Sequence, residues 1–446
     1  MFNITERMDR LPITSIHRIA IAALAFAYFF ELADLNTFAF AAPGLMKAWH
    51  IPVDAVALIT SASFGGMFIG AVGGGWLGDR FGRKRGIILC ISFYAVFSML
   101  NALSWDVTSL AVFRFLTGVG LSGMTVIANT YVSEFFPANV RGKYMGRIVT
   151  IGLIGIPATA WFARYFVPLY PWGWRLVFVW GGLGLLALFM AVRMKESPRW
   201  YLRQNNQVKA EEIVAELEAA AVAEHKSLPV VPSAAHAPQV PVSLRPGSFA
   251  ALFSARERQR TITMLVAWIF QTLGFYGFMS WVPTLLVKHG FSVVHALTYT
   301  ATIAVCHPLG SFIASDLVER FERRWFITID GLLIATFGVA FGMSQTPVFI
   351  LVFGALVVLC IQAMAVGLYT YTPELFPTEI RSSAMGLAYG VGRLANVVGP
   401  FIISAIFMTA GYQTVFVYIG LCWLAVSLAI GVFGINTTGR SLEAVV

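Results

Sequence analysis

Long apolar runs separated by short polar loops fill almost the whole chain. A helix crosses a bilayer with roughly 20 apolar residues at 1.5 Å rise each, and twelve runs reach about that length. We predict them at about residues 18–45, 55–78, 86–104, 108–134, 144–168, 173–194, 261–287, 293–317, 325–344, 347–373, 382–409 and 412–434. The pattern therefore predicts an all-α membrane protein with twelve transmembrane helices.

One long hydrophilic segment, from about Lys195 to Arg260, divides the spans six and six. Within it, Lys209–Glu224 predicts a short amphipathic helix. Ser227–Gly247 is rich in Pro, Ala, Ser and Val, a composition typical of a mobile linker. We predict an N-terminal half (1–194), a linker with a short helix (195–260) and a C-terminal half (261–446).

Two motifs repeat between the halves at one offset of 240 residues. The repeated pairs are Glu134-Phe-Phe-Pro-Ala-Asn-Val-Arg141 with Glu374-Leu-Phe-Pro-Thr-Glu-Ile-Arg381, and Asp79-Arg80-Phe-Gly-Arg83-Lys84 with Glu319-Arg320-Phe-Glu-Arg-Arg324. Two matches in one register predict two pseudo-symmetric six-helix halves, with a site between them near the membrane midplane.

Composition and charge support a membrane protein and set its orientation. Of 446 residues, 58% are hydrophobic and 12% charged, whereas a soluble domain carries about 25% charge. The net charge of +9 comes from loops, which favours orientation in the membrane over nucleic-acid binding. With both termini and the linker in the cytoplasm, all but six of the 31 Lys and Arg lie in cytoplasmic segments. The six are Lys47, Arg114, Arg164, Arg175, Lys288 and Arg393.

Cysteine and histidine patterns give no sign of a metal, a cofactor or an enzyme. The four cysteines lie singly in apolar spans, as small buried hydrophobes do, and the seven histidines do not pair at ligand spacing. No nucleotide-binding loop is present, so we expect an ion gradient to drive any transport.

Two acids in the first span, Glu31 and Asp34, lie three residues apart on one helical face. Each costs roughly 2.5–3.5 kcal/mol at the bilayer centre, so both should face a polar interior. Arg114 in the fourth span lies at a similar depth to Asp34 and can pair with it. The pair is either a proton switch or a static link between two spans, and Glu31 is either a proton carrier or permanently protonated. We rank Asp34 before Glu31 as the proton carrier.

Two motifs resemble those of the major facilitator superfamily, and the resemblance covers essentially the whole chain. They are the loop Gly74-Gly-Trp-Leu-Gly-Asp79-Arg80-Phe-Gly-Arg83-Lys-Arg85 and the pattern Arg114-x-x-x-Gly118-x-Gly120. The resemblance implies alternating access of the two halves around a central site.

The branch within that superfamily is indicated by further motifs. Glu196-Ser-Pro-Arg-Trp-Tyr-Leu202 and Thr438-Gly-Arg-Ser-Leu-Glu443 resemble the sugar-porter and organic-ion branches, but span 7 lacks the Gln-Gln pair and Asn of hexose carriers. Glu31-Leu-Ala-Asp34-Leu35 and Gly390-Val-Gly-Arg393-Leu-Ala-Asn-Val-Val-Gly-Pro400 resemble aromatic-acid/proton symporters and organic-anion relatives. The organic-acid branch is the closer match.

Arg393, in span 11, is the expected ligand for a substrate carboxylate, because a guanidinium grips carboxylates with two parallel hydrogen bonds. The alternative is a structural partner for Asp330 or for a helix C-terminus. Polar and aromatic residues in the C-terminal half complete the expected site: Tyr389, Asn396, Gln271, Tyr276, Trp281, Gln362 and Tyr369. His307, before Pro308, is a second proton site, a substrate donor or a structural histidine.

Charged residues near the repeated motifs form the expected gate. Asp79 could accept hydrogen bonds from a helix N-terminus, while Arg80 and Arg83 reach acids such as Glu134. The alternative interpretation is that these positive charges only orient the protein in the membrane. The remaining expected gate residues are Arg141, Glu319, Arg320, Glu374 and Arg381.

The sequence thus predicts a proton-coupled symporter that imports a small organic anion, such as an aromatic acid. We expect a monomer in a bacterial inner membrane. The alternatives are a proton-coupled carrier of sugars, polyols or other metabolites, a proton-driven exporter, and a transporter-like sensor.

Overall fold

The computed structural model describes residues 4–137, 140–225 and 249–437, and within them it contains helices and no strand. The first six spans are built from α2 to α9, preceded by a short α1. These helices are α1 (Ile4–Asp9), α2 (Ser15–Trp49), α3 (Val53–Phe81), α4 (Arg83–Ala102), α5 (Val107–Phe135), α6 (Arg141–Leu153), α7 (Gly155–Phe166), α8 (Gly173–Gly182) and α9 (Leu186–Ala191).

Two linker helices and seven further helices follow. They are α10 (Pro198–Arg203), α11 (Gln207–Ala223), α12 (Arg258–Met279), α13 (Val282–Lys288), α14 (Val293–Ala304), α15 (Cys306–Arg320), α16 (Arg323–Met343), α17 (Pro347–Glu374) and α18 (Thr378–Phe433). The predicted amphipathic helix is confirmed as α11. The predicted linker 227–247 and the motif 438–443 lie outside the described residues.

Eleven helical stretches in the described chain are long and apolar enough to cross a membrane. The last of them contains a kink at Gly411, whose φ of 83° and ψ of −177° interrupt the helix. Only glycine adopts such a conformation without strain. α18 is therefore two helices, 378–410 and 412–433, and the twelve predicted spans are confirmed.

Four of the predicted spans contain a local interruption of the α-helix, although the chain continues across the membrane. α6 ends and α7 begins around Ile154, α12 and α13 meet at Ser280 and Trp281, and α14 and α15 meet at Val305. A proline lies in the first turn of the second helix in each of these three spans (Pro157, Pro283 and Pro308). A backbone N–H at that position has no partner within the helix, so proline, which lacks an N–H, costs no helical hydrogen bond there. The sixth span breaks differently, through a 3₁₀ turn at Leu183–Leu185 between α8 and α9.

Small residues let α3 and α5 pack backbone to backbone. A Cβ added at Gly66 would lie 1.8 Å from the carbonyl oxygen of Phe115, and one added at Gly70 would lie 2.1 Å from that of Val119. Such spacing of small residues is the usual basis of close helix pairs in membranes. It holds Arg114 of α5 firmly against the α3 face that carries Ser63.

The N-terminal α1, which the sequence did not predict, is held to linker helix α11 by ion pairs. Arg7 contacts Glu218 at 2.6 Å and Arg10 contacts the same carboxylate at 2.8 Å. The two guanidinium groups lower the pKa of Glu218, with the Arg7 hydrogen bond as the largest cause. The chain start and the linker thereby form one packed unit beside the N-terminal half.

Candidate functional site

A cavity of about 780 Å³ lies between the two halves. One wall is α6, from Gly142 to Leu153, and the opposite wall comes from α12, α17 and α18. Gly142 and Gly146, at the start of α6, line the cavity and are exposed. The cavity therefore opens at the end of the molecule where α6 begins, which is also the end of the α3–α4 loop.

Contacts between the halves close the other end of the cavity. The rings of Phe64 and Tyr276 lie 4.7 Å apart between centroids, and a guanidinium nitrogen of Arg393 lies 3.6 Å from the sulfur of Met67. Farther along, Arg164 of α7 donates to Thr298 of α14. The cavity is thus closed at one end and accessible from the other.

Arg393 lies near the closed end of this central cavity. Its guanidinium donates to the Tyr389 hydroxyl and stands 5.0 Å from the centroid of that ring. Among the described residues, no carboxylate lies within the 4.0 Å of an ion pair with it. Asp330, the alternative structural partner, lines a separate cavity. Arg393 is therefore a cation in the central cavity without a salt-bridged acid in the described chain.

Three aromatic rings form a wall beside Arg393. The ring of Trp268 meets Tyr369 edge-on at 5.0 Å and Tyr389 at 5.7 Å, and its indole N–H donates to Thr372 at 3.0 Å. The predicted residues Gln271, Tyr276, Gln362, Tyr369, Tyr389 and Arg393 all line the cavity. Trp268 was not predicted, although it precedes Gln271 by three positions and so shares its helical face.

Three other predicted ligands lie outside the central cavity. Trp281 is fully buried, and Asn396 shares with it a void of about 10 Å³ beyond Tyr276. His307 lines a void of about 20 Å³ with Asn36, on the closed side. In this conformation the structure therefore does not bring Trp281, Asn396 or His307 to the site.

Glu31 is buried on α2 and faces α5. Its carboxylate accepts from the Thr125 hydroxyl at 3.0 Å, and Tyr28, one turn earlier, donates to Asn129 at 2.7 Å. Arg393 of the other half does not contact Glu31, but it is near enough for its positive charge to interact favourably with the ionised Glu31 carboxylate. The acid and the cation in the two halves are thus electrostatically linked.

Asp34 does not line the central cavity and lies in a buried pocket of the N-terminal half. It is fully buried, accepts from Ser98 of α4, and lies 3.6 Å from a guanidinium nitrogen of Arg114. Arg114 also donates to Thr37 and Ser63, each at 3.1 Å. A Cβ added at Gly181 would lie 2.0 Å from Asp34, so α8 seals the pocket.

The α3–α4 loop forms a charged network inside the N-terminal half. Arg83 makes a two-pronged contact with Glu134, both hydrogen bonds being 2.9 Å, and contacts Asp79 at 2.8 Å. The helix N-terminus of α4 is covered by Glu196, which accepts from the backbone N–H groups of Arg83 and Lys84. The predicted helix-terminus role of Asp79 therefore belongs to Glu196.

The C-terminal half repeats this network at the 240-residue offset. Arg323 contacts Glu374 at 2.9 Å, as Arg83 contacts Glu134. Thr437 donates to Glu374 at 2.6 Å, as Ser197 donates to Glu134 at 2.9 Å. The repeat could have identified Arg323, which was not among the predicted gate residues.

The other predicted gate residues take different positions. Arg80 lies over the ring of Trp76 and does not reach Glu134. Arg320 is exposed and 3.8 Å from Asp316, Arg381 donates to the carbonyl of Phe376, and Arg141 is exposed at the start of α6. The side chain of Glu319 lies outside the described part of the chain. Each network stays within its own half, as expected while the halves are apart at this end.

The two networks differ in burial, which gives a testable contrast. The side chains of Arg83 and Glu134 are 2% and 5% exposed, whereas those of Arg323 and Glu374 are 16% and 19% exposed. Removing one partner of a fully buried pair costs about 3–5 kcal/mol, and the cost falls towards about 1 kcal/mol or less as a pair gains access to solvent. We expect Arg83→Ala to lower the thermal unfolding temperature of the purified protein much more than the matched Arg323→Ala. Equal shifts would contradict the burial argument.

In the part of the chain that the structure describes, no group of three or more His, Cys, Asp or Glu side chains could hold a metal ion. The chemistry available to the central cavity is therefore that of one guanidinium, neutral hydrogen-bonding groups and aromatic faces.

Twelve spans in two halves around a one-sided central cavity define a membrane transporter. The model of the family "Sugar (and other) transporter" matches residues 21–446, and the chain belongs to that family. This confirms the resemblance to the major facilitator superfamily. YyaJ of Bacillus subtilis, named for metabolite transport, is 43% identical over 441 residues, which cover 99% of this chain and 97% of YyaJ.

Two further similarities concern a transported metabolite and the fold. The niacin transporter NiaP of Acinetobacter baylyi is 30% identical over 447 residues, covering 99% of each chain. The inward-open structure of the xylose transporter XylE from E. coli superposes with a TM-score of 0.74 at 18% identity, covering 96% of this chain and 99% of XylE. At that identity the XylE likeness supports the fold alone.

Proposed function

We propose that this transporter is a proton-coupled symporter that imports a small organic anion with a flat ring, such as an aromatic carboxylic acid. The observation that carries the proposal is Arg393, a cation at the blind end of the central cavity with no salt-bridged acid among the described residues. A substrate carboxylate supplies the missing partner through charge-assisted hydrogen bonds, the strongest kind in proteins.

The walls around Arg393 support a ring-bearing substrate. Trp268, Tyr369 and Tyr389 present faces and edges on which a ring packs with centroids 4.5–7 Å apart. Gln271 and Gln362 offer donors and acceptors for ring substituents. The similarity to a niacin transporter is consistent with this substrate class.

The proton-coupling part of the proposal rests on the electrostatic interaction between Glu31 and Arg393. An ionised Glu31 competes with the substrate carboxylate for the same cation, whereas a protonated Glu31 leaves Arg393 to the substrate. We therefore place the coupling proton on Glu31 before Asp34, reversing the ranking made from sequence. The Asp34–Arg114 pair would then hold α2 to α5 and couple to the rocking of the halves.

The charge distribution supports the orientation. The end at which the cavity opens carries the α3–α4 loop, where Lys and Arg cluster, and the positive-inside rule assigns such loops to the cytoplasm. The described conformation is then the one that releases substrate inside. A bacterial inner membrane with cytoplasmic termini is part of the proposal.

Uptake into proteoliposomes tests this function. We expect labelled nicotinate or benzoate to accumulate when the bath is acidified and to stop accumulating when a protonophore collapses the gradient. Xylose serves as the neutral control and should not accumulate. Accumulation of xylose in place of the carboxylates would favour the sugar-carrier alternative, and uptake that ignores the protonophore would contradict symport.

A further inference from the structure

A second cavity, of about 510 Å³, opens between α15, α16 and α17. It shares no lining residue with the central cavity. Its volume falls within the roughly 300–1,000 Å³ of typical small-molecule sites. Transport through the centre of the molecule gives this lateral space no role.

A buried carboxylate lies in the wall of this lateral cavity. Asp330 is 6% exposed, and one of its oxygens interacts with the thiol of Cys360, which also lines the cavity. Its Oδ2 atom is buried and has no hydrogen-bond partner in the described chain. Because buried polar atoms are almost always hydrogen-bonded, this oxygen indicates a donor that the chain itself does not supply.

The lining of the lateral cavity can carry negative charge but not positive charge. Its lining includes two acids, Asp330 and Glu322, and no Lys, Arg or His. Glu322 already accepts from the backbone N–H of Thr437 at 3.0 Å. The cavity therefore favours a cationic group and disfavours an anion, with Asp330 as the acid that can still receive a donor.

The entrance of the lateral cavity faces the bilayer. Trp325 and Ile329 line it and are 49% and 54% exposed on the membrane-spanning helix α16, and Phe321, in the turn before that helix, is 56% exposed. The remaining walls are mainly aliphatic. A ligand must therefore arrive through lipid, with an apolar body that matches these walls.

We propose that the lateral cavity binds an apolar amine that partitions into the membrane. The protonated amine donates to Asp330, and the hydrocarbon body fills the space between α15 and α17. The acyl chain of a bulk lipid would fill the volume but leave the carboxylate without a donor. An ammonium supplies both the charge and up to three donors.

Binding of radiolabelled dodecylamine to the full-length protein in nanodiscs tests this site, with empty nanodiscs subtracted. Asp330→Asn should weaken binding by roughly 10- to 150-fold, the range for a hydrogen bond to a charged group. Glu322→Gln is the matched control, because that acid already has a partner, and it should change binding little. Dodecanoate should not compete.

Two further variants keep the test independent of any folding defect at Asp330. Ala363→Phe fills the cavity without altering the carboxylate and should also block binding. In a variant whose only cysteine is Cys360, dodecylamine should slow modification of that thiol by a maleimide. If wild type, Asp330→Asn and Ala363→Phe bind dodecylamine equally, the amine only partitions into the lipid and the proposal is overturned. The same holds if dodecanoate competes with the label as well as unlabelled dodecylamine does.

Discussion

Replacing Arg393 by methionine is expected to abolish high-affinity binding of organic anions while leaving the protein folded. The guanidinium lies in the central cavity, and its contacts there include the Tyr389 hydroxyl and ring, the Tyr276 hydroxyl and the sulfur of Met67. Removing one partner of a desolvated charge pair costs about 2–5 kcal/mol, which corresponds to a roughly 30- to 4,000-fold loss of affinity. Titration calorimetry with the best-transported carboxylate measures this loss.

The primary amide of the same carboxylate provides the control ligand. It keeps the ring and the shape but carries no charge, so it should bind wild type weakly and bind Arg393→Met about equally. Arg393→Lys should give an intermediate result, since lysine keeps the charge but lacks the planar fork. A loss of the same size for the acid and the amide would mean that the variant damages the cavity in general, and the anion-ligand role would be rejected.

The spans and the lining of the central cavity could be predicted because apolar length and isolated polar residues are strong signals. Arg393, Gln271 and Gln362 stand out in apolar runs, and each one lines the cavity. Trp268 gave no such signal, because an aromatic residue in an apolar span is most often packing. Neighbouring polar residues on the same face were the only indication available.

The sequence-based prediction misplaced residues in two situations. One is a residue next to an interruption of a helix, and the other is a residue for which the sequence indicates only its depth in the membrane. Trp281 was assigned to a continuous span, but it lies at the junction between α12 and α13 and is buried in the protein interior. Asp34 was given the right depth and the right partner, yet its position alone could not show that it faces α4 and α8. The depth of a residue in the membrane follows from counting residues along its helix. The neighbouring helix that its side chain faces depends instead on how the helices pack.

Replacing Glu31 by glutamine is expected to uncouple substrate movement from the proton gradient. Glutamine imitates the protonated acid, so Arg393 stays available to the substrate at every pH. Wild-type affinity should rise as the pH falls and Glu31 gains its proton, whereas the affinity of Glu31→Gln should not vary with pH. Exchange of labelled for unlabelled substrate should persist, but accumulation against a concentration gradient should fall to equilibrium.

Asp34→Asn separates this coupling role from a structural one. That change leaves the Arg114 guanidinium buried without its carboxylate, 2% exposed between α2, α3 and α5. An uncompensated buried charge destabilises by about 3–5 kcal/mol, so both exchange and accumulation should be lost, with a lower unfolding temperature. If instead Asp34→Asn kept exchange and lost accumulation while Glu31→Gln still accumulated substrate, the coupling proton would belong to Asp34. The two acids, one turn apart, are thus distinguished by the cation with which each one interacts: Arg393 of the other half or Arg114 of the same half.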